Sequence, residues 1–344
     1  MNPFHYVRAG ATQEAVAQLA RPGEHPARLI AGGTNLLDLM KIGAMSAELL
    51  IDINAAVPDA LRDAGADGMV LGAAARNAVT AYDPGVKRRY PLLSAAILAG
   101  ASPQIRNAAS NAGNLLQRTR CYYFYDPATA CNKRDPGSGC AARTGVNRQH
   151  AILGFSPSCI ATHPSDMCVA LAALEARVQV TGPAGDREIP FAEFHRLPGD
   201  RPELDTTLGP DEVITAIALP AMDQFAGHSA YLKVRDRLSY AFALVSVAAA
   251  LALNEDGTIA QARLAVGGVA HRPWRVPAAE EAMVGQLPVE DTFAAAAESL
   301  LQGARGSGFN DFKIPLARRS VVRALQMAHE GTYDNTGAPR GQHP

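Results

Sequence analysis

Apolar and polar positions along the chain fall into short runs with two different periods, one suited to strands and one to helices. Near the start, Tyr6-Val7-Arg8 predicts a strand, and Thr12 predicts the cap of a short helix through Leu19. Leu29-Ile30-Ala31 reads as the next strand, Gly32-Gly33-Thr34-Asn35 as the turn leaving it, residues 36–41 as a helix and 49–53 as a third strand. Strand, turn, helix and strand in that order are typical of an α/β lobe. Further on, Met69-Val70-Leu71 predicts a strand, residues 92–98 a helix and residues 176–180 another strand. Residues 212–219 alternate with period two, as a half-buried strand does.

From near Gln224 the pattern changes. Tyr231-Leu232-Lys233-Val234-Arg235 predicts a strand, and the apolar runs 244–253 and 259–266 meet across Asn254-Glu255-Asp256-Gly257. Asp-Gly between apolar runs is a hairpin signal. Helical stretches follow near Ala278, Thr292 and Leu316, so the second half is an antiparallel sheet followed by helices. The expected division is a first domain over 1–222, with lobes 1–58 and 59–222, then a second domain over 223–332. The tail from Tyr333, rich in glycine and proline, is expected to be mobile.

Composition narrows the function classes only slightly. At 344 residues, 48% apolar and 19% charged, the chain has the make-up of an ordinary globular protein. A formal net charge of -1 gives no reason to expect nucleic acid or an acidic membrane surface as partner. The longest apolar run, 241–253, is too short to span a bilayer and is interrupted by Ser246. No apolar segment follows Met1-Asn2-Pro3-Phe4-His5, so no export signal is expected on this chain. It would be periplasmic only if carried by an exported partner, and otherwise cytoplasmic.

The cysteines change the picture. Four of the five, Cys121, Cys131, Cys140 and Cys159, fall in one polar, glycine-bearing segment. Nine, eight and eighteen intervening residues fit neither short zinc pairs nor a C-x-x-C redox motif. Six basic residues (Arg118, Arg120, Lys133, Arg134, Arg143, Arg148) against Asp126 and Asp135 leave an excess of four positive charges around them. Such surroundings suit an anionic, thiolate-ligated iron–sulfur cluster; a basic loop with incidental thiols, or disulfides in an exported complex, are the alternatives. Cys168 differs, because Pro164-Ser165 marks a helix start and Cys168 shares an apolar face with Leu171. Two glycine loops complete the set. Gly32-Gly33-Thr34-Asn35 and Ser110-Asn111-Ala112-Gly113-Asn114 both allow backbone N–H groups close to a phosphate, although each is also an ordinary turn. No G-x-G-x-x-G pattern is present at the first loop, which disfavours a Rossmann site.

Taken together, Ala31-Gly32-Gly33-Thr34-Asn35-Leu36-Leu37-Asp38-Leu39-Met40-Lys41, Ala112-Gly113-Asn114-Leu115-Leu116-Gln117-Arg118-Thr119-Arg120-Cys121 and Ala161-Thr162-His163-Pro164-Ser165-Asp166 resemble a known family. It is the FAD-binding medium subunit of the xanthine dehydrogenase / carbon monoxide dehydrogenase group of molybdenum hydroxylases. Lys233-Val234-Arg235-Asp236-Arg237 and Gly267-Gly268-Val269-Ala270-His271-Arg272-Pro273-Trp274-Arg275 extend the likeness, which spans about 4–328. Within the group it is strongest to the periplasmic aldehyde oxidoreductase branch, whose flavin subunit carries an extra [4Fe–4S] cluster.

The resemblance implies an α+β chain: a two-lobed FAD-binding domain of the vanillyl-alcohol-oxidase type, then a small α+β domain. It implies that Leu29, Ile30, Ala31, Gly32, Gly33, Thr34, Asn35 and Leu36 cradle FAD, with Ser110, Gly113 and Asn114 as the second wall. Ile160 and Ile214 would lie beside the cofactor, Asp166 at its ribose or adenine end, and Lys233 toward the flavin. Cys121, Cys131, Cys140 and Cys159 would hold a [4Fe–4S] cluster, about 119–160 being the insert that carries it; no residue is assigned as a general acid or base. The implied partners are a molybdopterin large subunit that oxidises an aldehyde, a [2Fe–2S] small subunit and an external electron acceptor. Two rivals remain: the flavin subunit of a related complex such as a hydroxybenzoyl-CoA reductase, and a zinc-binding structural module.

Overall fold

The computed structural model describes residues 1–21 and 26–332, so the tail from Tyr333 lies outside the described residues. Strands β1 (His5–Arg8), β2 (Ala27–Ile30) and β3 (Leu49–Asp52) form a parallel sheet in the order β1-β3-β2. Parallel strands need long connections, and helices Thr12–Leu19 and Leu36–Lys41 provide them. Central β3 buries Leu50 and Ile51. Thr12 departs from its expected role. Ala11 is the N-cap, without a side-chain bond, and the Thr12 hydroxyl instead donates to the carbonyl of Ala56 at 2.7 Å. It ties the helix to the segment after β3 rather than satisfying the helix's own N–H groups.

The second sheet is antiparallel and five-stranded: β4 (Leu61–Asp63), β5 (Met69–Gly72), β6 (Arg177–Gly182), β7 (Gly185–Pro190) and β8 (Val213–Leu219), in the order β4-β5-β8-β6-β7. β8 is central, and Val213, Ile214, Ala216, Ile217 and Leu219 are all buried, so strict alternation of exposed positions is lost. Between β5 and β6 the chain makes a run of short helices, including Pro84–Arg89, Pro91–Ala99 and Pro103–Ala108, each opened by a proline whose missing N–H costs nothing there. Only the second is long enough for its apolar pattern to register in sequence.

The C-terminal domain is a sheet of β9 (Ser229–Val234), β10 (Val245–Leu253) and β11 (Ile259–Gly267) in the order β11-β10-β9. Its hairpin turns where expected, with Gly257 at φ +82° and the Asn254 N–H donating to the Thr258 carbonyl at 2.8 Å. Helices Pro277–Glu281, Glu290–Leu300 and Lys313–Glu330 follow, and the last packs over β10 and β9. Among the described residues no helix is long and apolar enough to cross a membrane.

Helix Asp166–Ala173 is buried along its whole length between the two domains, which is why Cys168 and Leu171 are both fully covered. Close packing there demands Gly267: a Cβ at that position would lie 2.5 Å from Val169 Cγ2. Arg275 staples the domains electrostatically. It donates to both oxygens of buried Glu280 at 2.7 Å and to Glu175 of the first domain at 2.7 Å, while Glu280 also accepts from the Leu264 N–H at 2.8 Å. Replacing Glu280 by alanine strands a half-buried guanidinium and a buried N–H, and is expected to cost about 3–5 kcal/mol in denaturant unfolding. Glu175→Gln removes a far more exposed partner and is expected to cost no more than about 1 kcal/mol.

Candidate functional site

The turn after β2 is shaped by the second lobe. A Cβ on Gly32 would stand 2.0 Å from the carbonyl oxygen of Ala108, so only glycine lets the lobes touch here. Gly33 takes φ +70°, the left-handed region that glycine adopts without strain. Arg76, absent from the sequence-based set, pins the contact: it donates to that same Ala108 carbonyl at 2.8 Å and to Asn54 Oδ1 at 2.9 Å, and Asn54 donates to Ala31 O at 3.2 Å. Asn35 closes the turn. Its Oδ1 accepts from the Arg118 N–H at 2.8 Å, while its Nδ2 is buried with no partner. An unmatched buried donor costs free energy until an acceptor arrives, and a phosphate oxygen suits it.

The facing wall is the short helix Asn111–Leu115, capped by Ser110, whose hydroxyl oxygen accepts from the Gly113 N–H at 3.1 Å. Asn114 lines the space but its amide is already engaged: Nδ2 donates to Asn77 at 2.6 Å, and Oδ1 accepts from Ser165 at 2.6 Å and Gln117 at 2.8 Å. Asn114 therefore fixes the wall, and through Ser165 it locates the N-terminus of helix Asp166–Ala173. Asp166, at the head of that helix, accepts from Lys233 at 2.7 Å and from Tyr231 at 2.8 Å. Tyr231 and Lys233 share one face of β9, and sequence reading selected only the lysine.

These walls enclose two adjoining cavities, with about 1430 and 970 Å³ of empty space, part of it open to solvent. The first is lined by residues 29–36 with Ser110, Gly113, Arg28 and Arg118; the second by Asn114, Asp166, Lys233 and Tyr240. Thr34, Asn35, Gly113 and Gln117 line both and form the waist. A long, kinked ligand with its anionic middle at the waist fits this shape. Ile160 and Ile214 are both buried, the latter in β8, and neither is among the residues lining these two cavities. Asp166 and Lys233, expected toward different parts of the ligand, form one ion pair beside the second cavity.

The four thiols come together around a separate small pocket with about 270 Å³ of empty space. Cys131 and Cys140 face each other across an antiparallel bridge, and Asn132 ties that hairpin to the next turn by donating to Ser158 O at 3.0 Å. Arg134 stitches the rest by donating to the carbonyls of Tyr123 and Phe124 at 2.7 and 2.9 Å. Leu39, Ala44, Phe124 and Cys131 form a small apolar core, so the insert rests on the very helix that leaves the glycine turn. Another small cavity is lined by Cys121 and His150 together with His163, Ser165 and Asp166. Burial pushes the Cys121 thiol up to about 12, whereas the Cys159 S–H donates to Cys140 and brings Cys140 down to about 6. Cys159 is correspondingly raised by the same bond and by burial. Binding a metal here would release protons from these thiols.

Counting charges along the segment overstates how many face the thiols. Lys133 is buried and donates to Asp205 at 2.5 Å, Arg118 pairs with the same carboxylate at 2.5 Å, and Arg148 pairs with Asp236. Both acids lie far outside the segment. Among the described residues, the tight sets of three His, Cys or carboxylate donors, within 4.8 Å of one another, come down to His163, Cys168 and His195. This set reads as packing. The His195 Nε2–H donates to Leu115 O at 2.9 Å, leaving Nδ1 bare; His163 Nδ1 accepts from the Ser165 N–H, leaving the proton on Nε2. His163 Nε2 and His195 Nδ1 are each buried without a partner, and on this tautomer assignment only the latter offers a lone pair to a metal. Burial holds both rings neutral, His195 down to about 4.

The chain matches the family described as FAD binding domain in molybdopterin dehydrogenase over residues 2–222, and that described as CO dehydrogenase flavoprotein C-terminal domain over 229–328. It is 47% identical over 331 residues to the aldehyde oxidoreductase FAD-binding subunit PaoB of Escherichia coli, covering 95% of this chain and 99% of that one. To the carbon monoxide dehydrogenase medium chain of Hydrogenophaga pseudoflava it is 27% identical, covering 94% and 96%. Among solved structures, carbon monoxide dehydrogenase of the same organism superposes with TM-score 0.72 at 28% identity over 95% of this chain and 97% of that one. Quinoline 2-oxidoreductase of Pseudomonas putida, at 23% identity and TM-score 0.71 over 96% and 98%, shares the fold.

Gly32→Ala is expected to lower both the flavin content of the purified protein and its melting temperature, because the added Cβ drives the lobes apart; flavin absorbance and calorimetry measure the two effects. Asp205 supplies a pH prediction. Burial raises its pKa, but Lys133 and Arg118 outweigh that and bring it down to about 2, from 3.8 when free. Its stabilisation is complete above about pH 4 and is lost as pH falls through 2. Denaturant midpoints between pH 4 and 2 should therefore fall less steeply in Asp205→Asn than in the parent.

Proposed function

The chain belongs to the FAD-binding subunits of molybdopterin dehydrogenases, and on that premise we propose that it is the FAD and [4Fe–4S] electron-transfer subunit of a heterotrimeric aldehyde oxidoreductase. The observation that carries the reading is the convergence of Cys121, Cys131, Cys140 and Cys159 on one pocket beside the glycine-walled cavities. Zinc suits that pocket poorly. Four thiolates about 2.3 Å from one ion stand roughly 3.8 Å apart, and no three of these sulfurs are gathered within 4.8 Å. A larger, multi-iron group fits the wider spread and accepts four thiolate ligands. The aldehyde substrate rests on the 47% likeness to PaoB.

The aldehyde is oxidised to the carboxylic acid in a molybdenum-bearing large subunit, and electrons reach this chain through a small [2Fe–2S] subunit before passing to an external acceptor. When bound, FAD exchanges electrons in ones and in twos. The chain's own residues do the rest. Asn35 Nδ2 and the N–H groups of the glycine turn would hold the anionic middle of the cofactor, and Asn114 fixes the opposite wall through Asn77 and Ser165. The Asp166–Lys233–Tyr231 group closes the far end of the second cavity without leaving a charge unpaired. No proton transfer by a side chain is required of this subunit.

Cys131→Ser in the purified complex is expected to remove about four irons and the matching sulfide while flavin content holds. Iron and sulfide that stay at the parent level would sink the ligand assignment, and a complex whose thiols carry stoichiometric zinc would overturn the reading altogether. Assays with aldehydes and with aromatic thioesters separate the aldehyde oxidoreductase from a reductase of the hydroxybenzoyl-CoA type.

A further inference from the structure

Two imidazoles that the ligand set leaves unused point at the thiols. His150 Nε2 lies 3.1 Å from Cys121 Sγ, and His271 Nε2 lies 3.3 Å from Cys159 Sγ. The rings come from opposite ends of the assembly. His150 belongs to the segment that carries the cysteines, whereas His271 belongs to the loop after β11 in the C-terminal domain. Each ring's other nitrogen, Nδ1, is buried without a partner. That fixes the proton: a neutral ring with hydrogen on Nδ1 would bury an unmatched donor and turn a lone pair toward sulfur. Hydrogen on Nε2 instead points a donor at the thiolate, and a doubly protonated ring donates there as well. Both rings are held in place by the same buried amine, since Lys313 Nζ donates to the carbonyl of His150 at 2.8 Å and to that of Gly268 at 2.5 Å.

Resting on the cluster reading above, we infer that His150 and His271 are positioning residues that donate N–H···S hydrogen bonds to two of the four cluster thiolates and set the cluster's reduction potential. Reduction adds negative charge to an already anionic group, and a donor on its sulfur stabilises the reduced form more than the oxidised one. The potential is therefore higher than four bare thiolates would give. The two ring contacts fall on Cys121 and Cys159, so the stabilisation is concentrated on those corners.

The test uses the complex with all its subunits. Parent protein grown on histidine labelled with 15N in the ring is reduced, and pulsed EPR of the [4Fe–4S] signal is expected to show weak couplings from two ring nitrogens. His150→Leu and His271→Leu should each remove one coupling and move the EPR-titrated midpoint to more negative potential, with a larger movement in the double variant. His271→Gln, whose amide can still donate, should recover part of the shift. Variants that keep full iron and sulfide but show an unmoved midpoint would overturn the inference. If a leucine variant loses its iron, the couplings in the parent decide, and their absence there is equally fatal. Iron and sulfide counts on the parent separate the two layers of the reading: no iron beyond that of the small subunit means that the cluster assignment itself fails, whatever the histidines do.

Discussion

The lobes of the first domain meet where Gly32 lies against the carbonyl of Ala108, and the rest of the site is built outward from that contact. Because no side chain fits between them, the turn after β2 is held at a fixed height above the facing wall, and Arg76 and Asn54 lock it there from both sides. Asn35 then reaches across to the backbone of Arg118, three residues ahead of Cys121, the first of the four gathered thiols. The helix that leaves the turn supplies Leu39 to the small core under the insert. One close backbone approach thus sets the width of the flavin cleft and the resting place of the thiols together. This is why the two features share a neighbourhood rather than merely a chain.

Much of the architecture was legible because its elements are long or chemically marked. The Asp256-Gly257 hairpin, the three C-terminal helices and the parallel β1–β3 lobe all follow from period and turn chemistry. Short helices such as Pro84–Arg89 and Pro103–Ala108 escaped, since so few turns show no apolar stripe, whereas the equally short Leu36–Lys41 was marked by the glycine turn before it. Thr12 shows a different limit. A hydroxyl at a helix start satisfies whichever acceptor or donor the tertiary structure brings near, and here that was a carbonyl forty-four positions away.

The site divides in the same manner. Glycine turns and clustered thiols announce themselves locally, whereas their supports are ordinary polar residues recruited from a distance. Asp205 gathers Lys133 and Arg118 from seventy or more positions away, which no count of charges within the segment could foresee. Asp166 and Lys233 illustrate the converse. Each lines the second cavity, and their ion pair sets them side by side there. Ile160 and Ile214, placed by likeness alone, are buried and are not among the residues lining the two cavities.

Lys313 lies on the last helix of the described chain, yet its amine grips the backbones of His150 and Gly268. The pocket that the thiols surround is consequently not finished when the ribosome has made them. More than half of the chain lies from Cys159 onward, and the loop that carries His271 must be made and docked before that ring comes to rest beside Cys159. Until then the thiols sit on a hairpin that lacks one of its walls. The walls of the thiol pocket are thereby complete only once the C-terminal domain has folded onto the first.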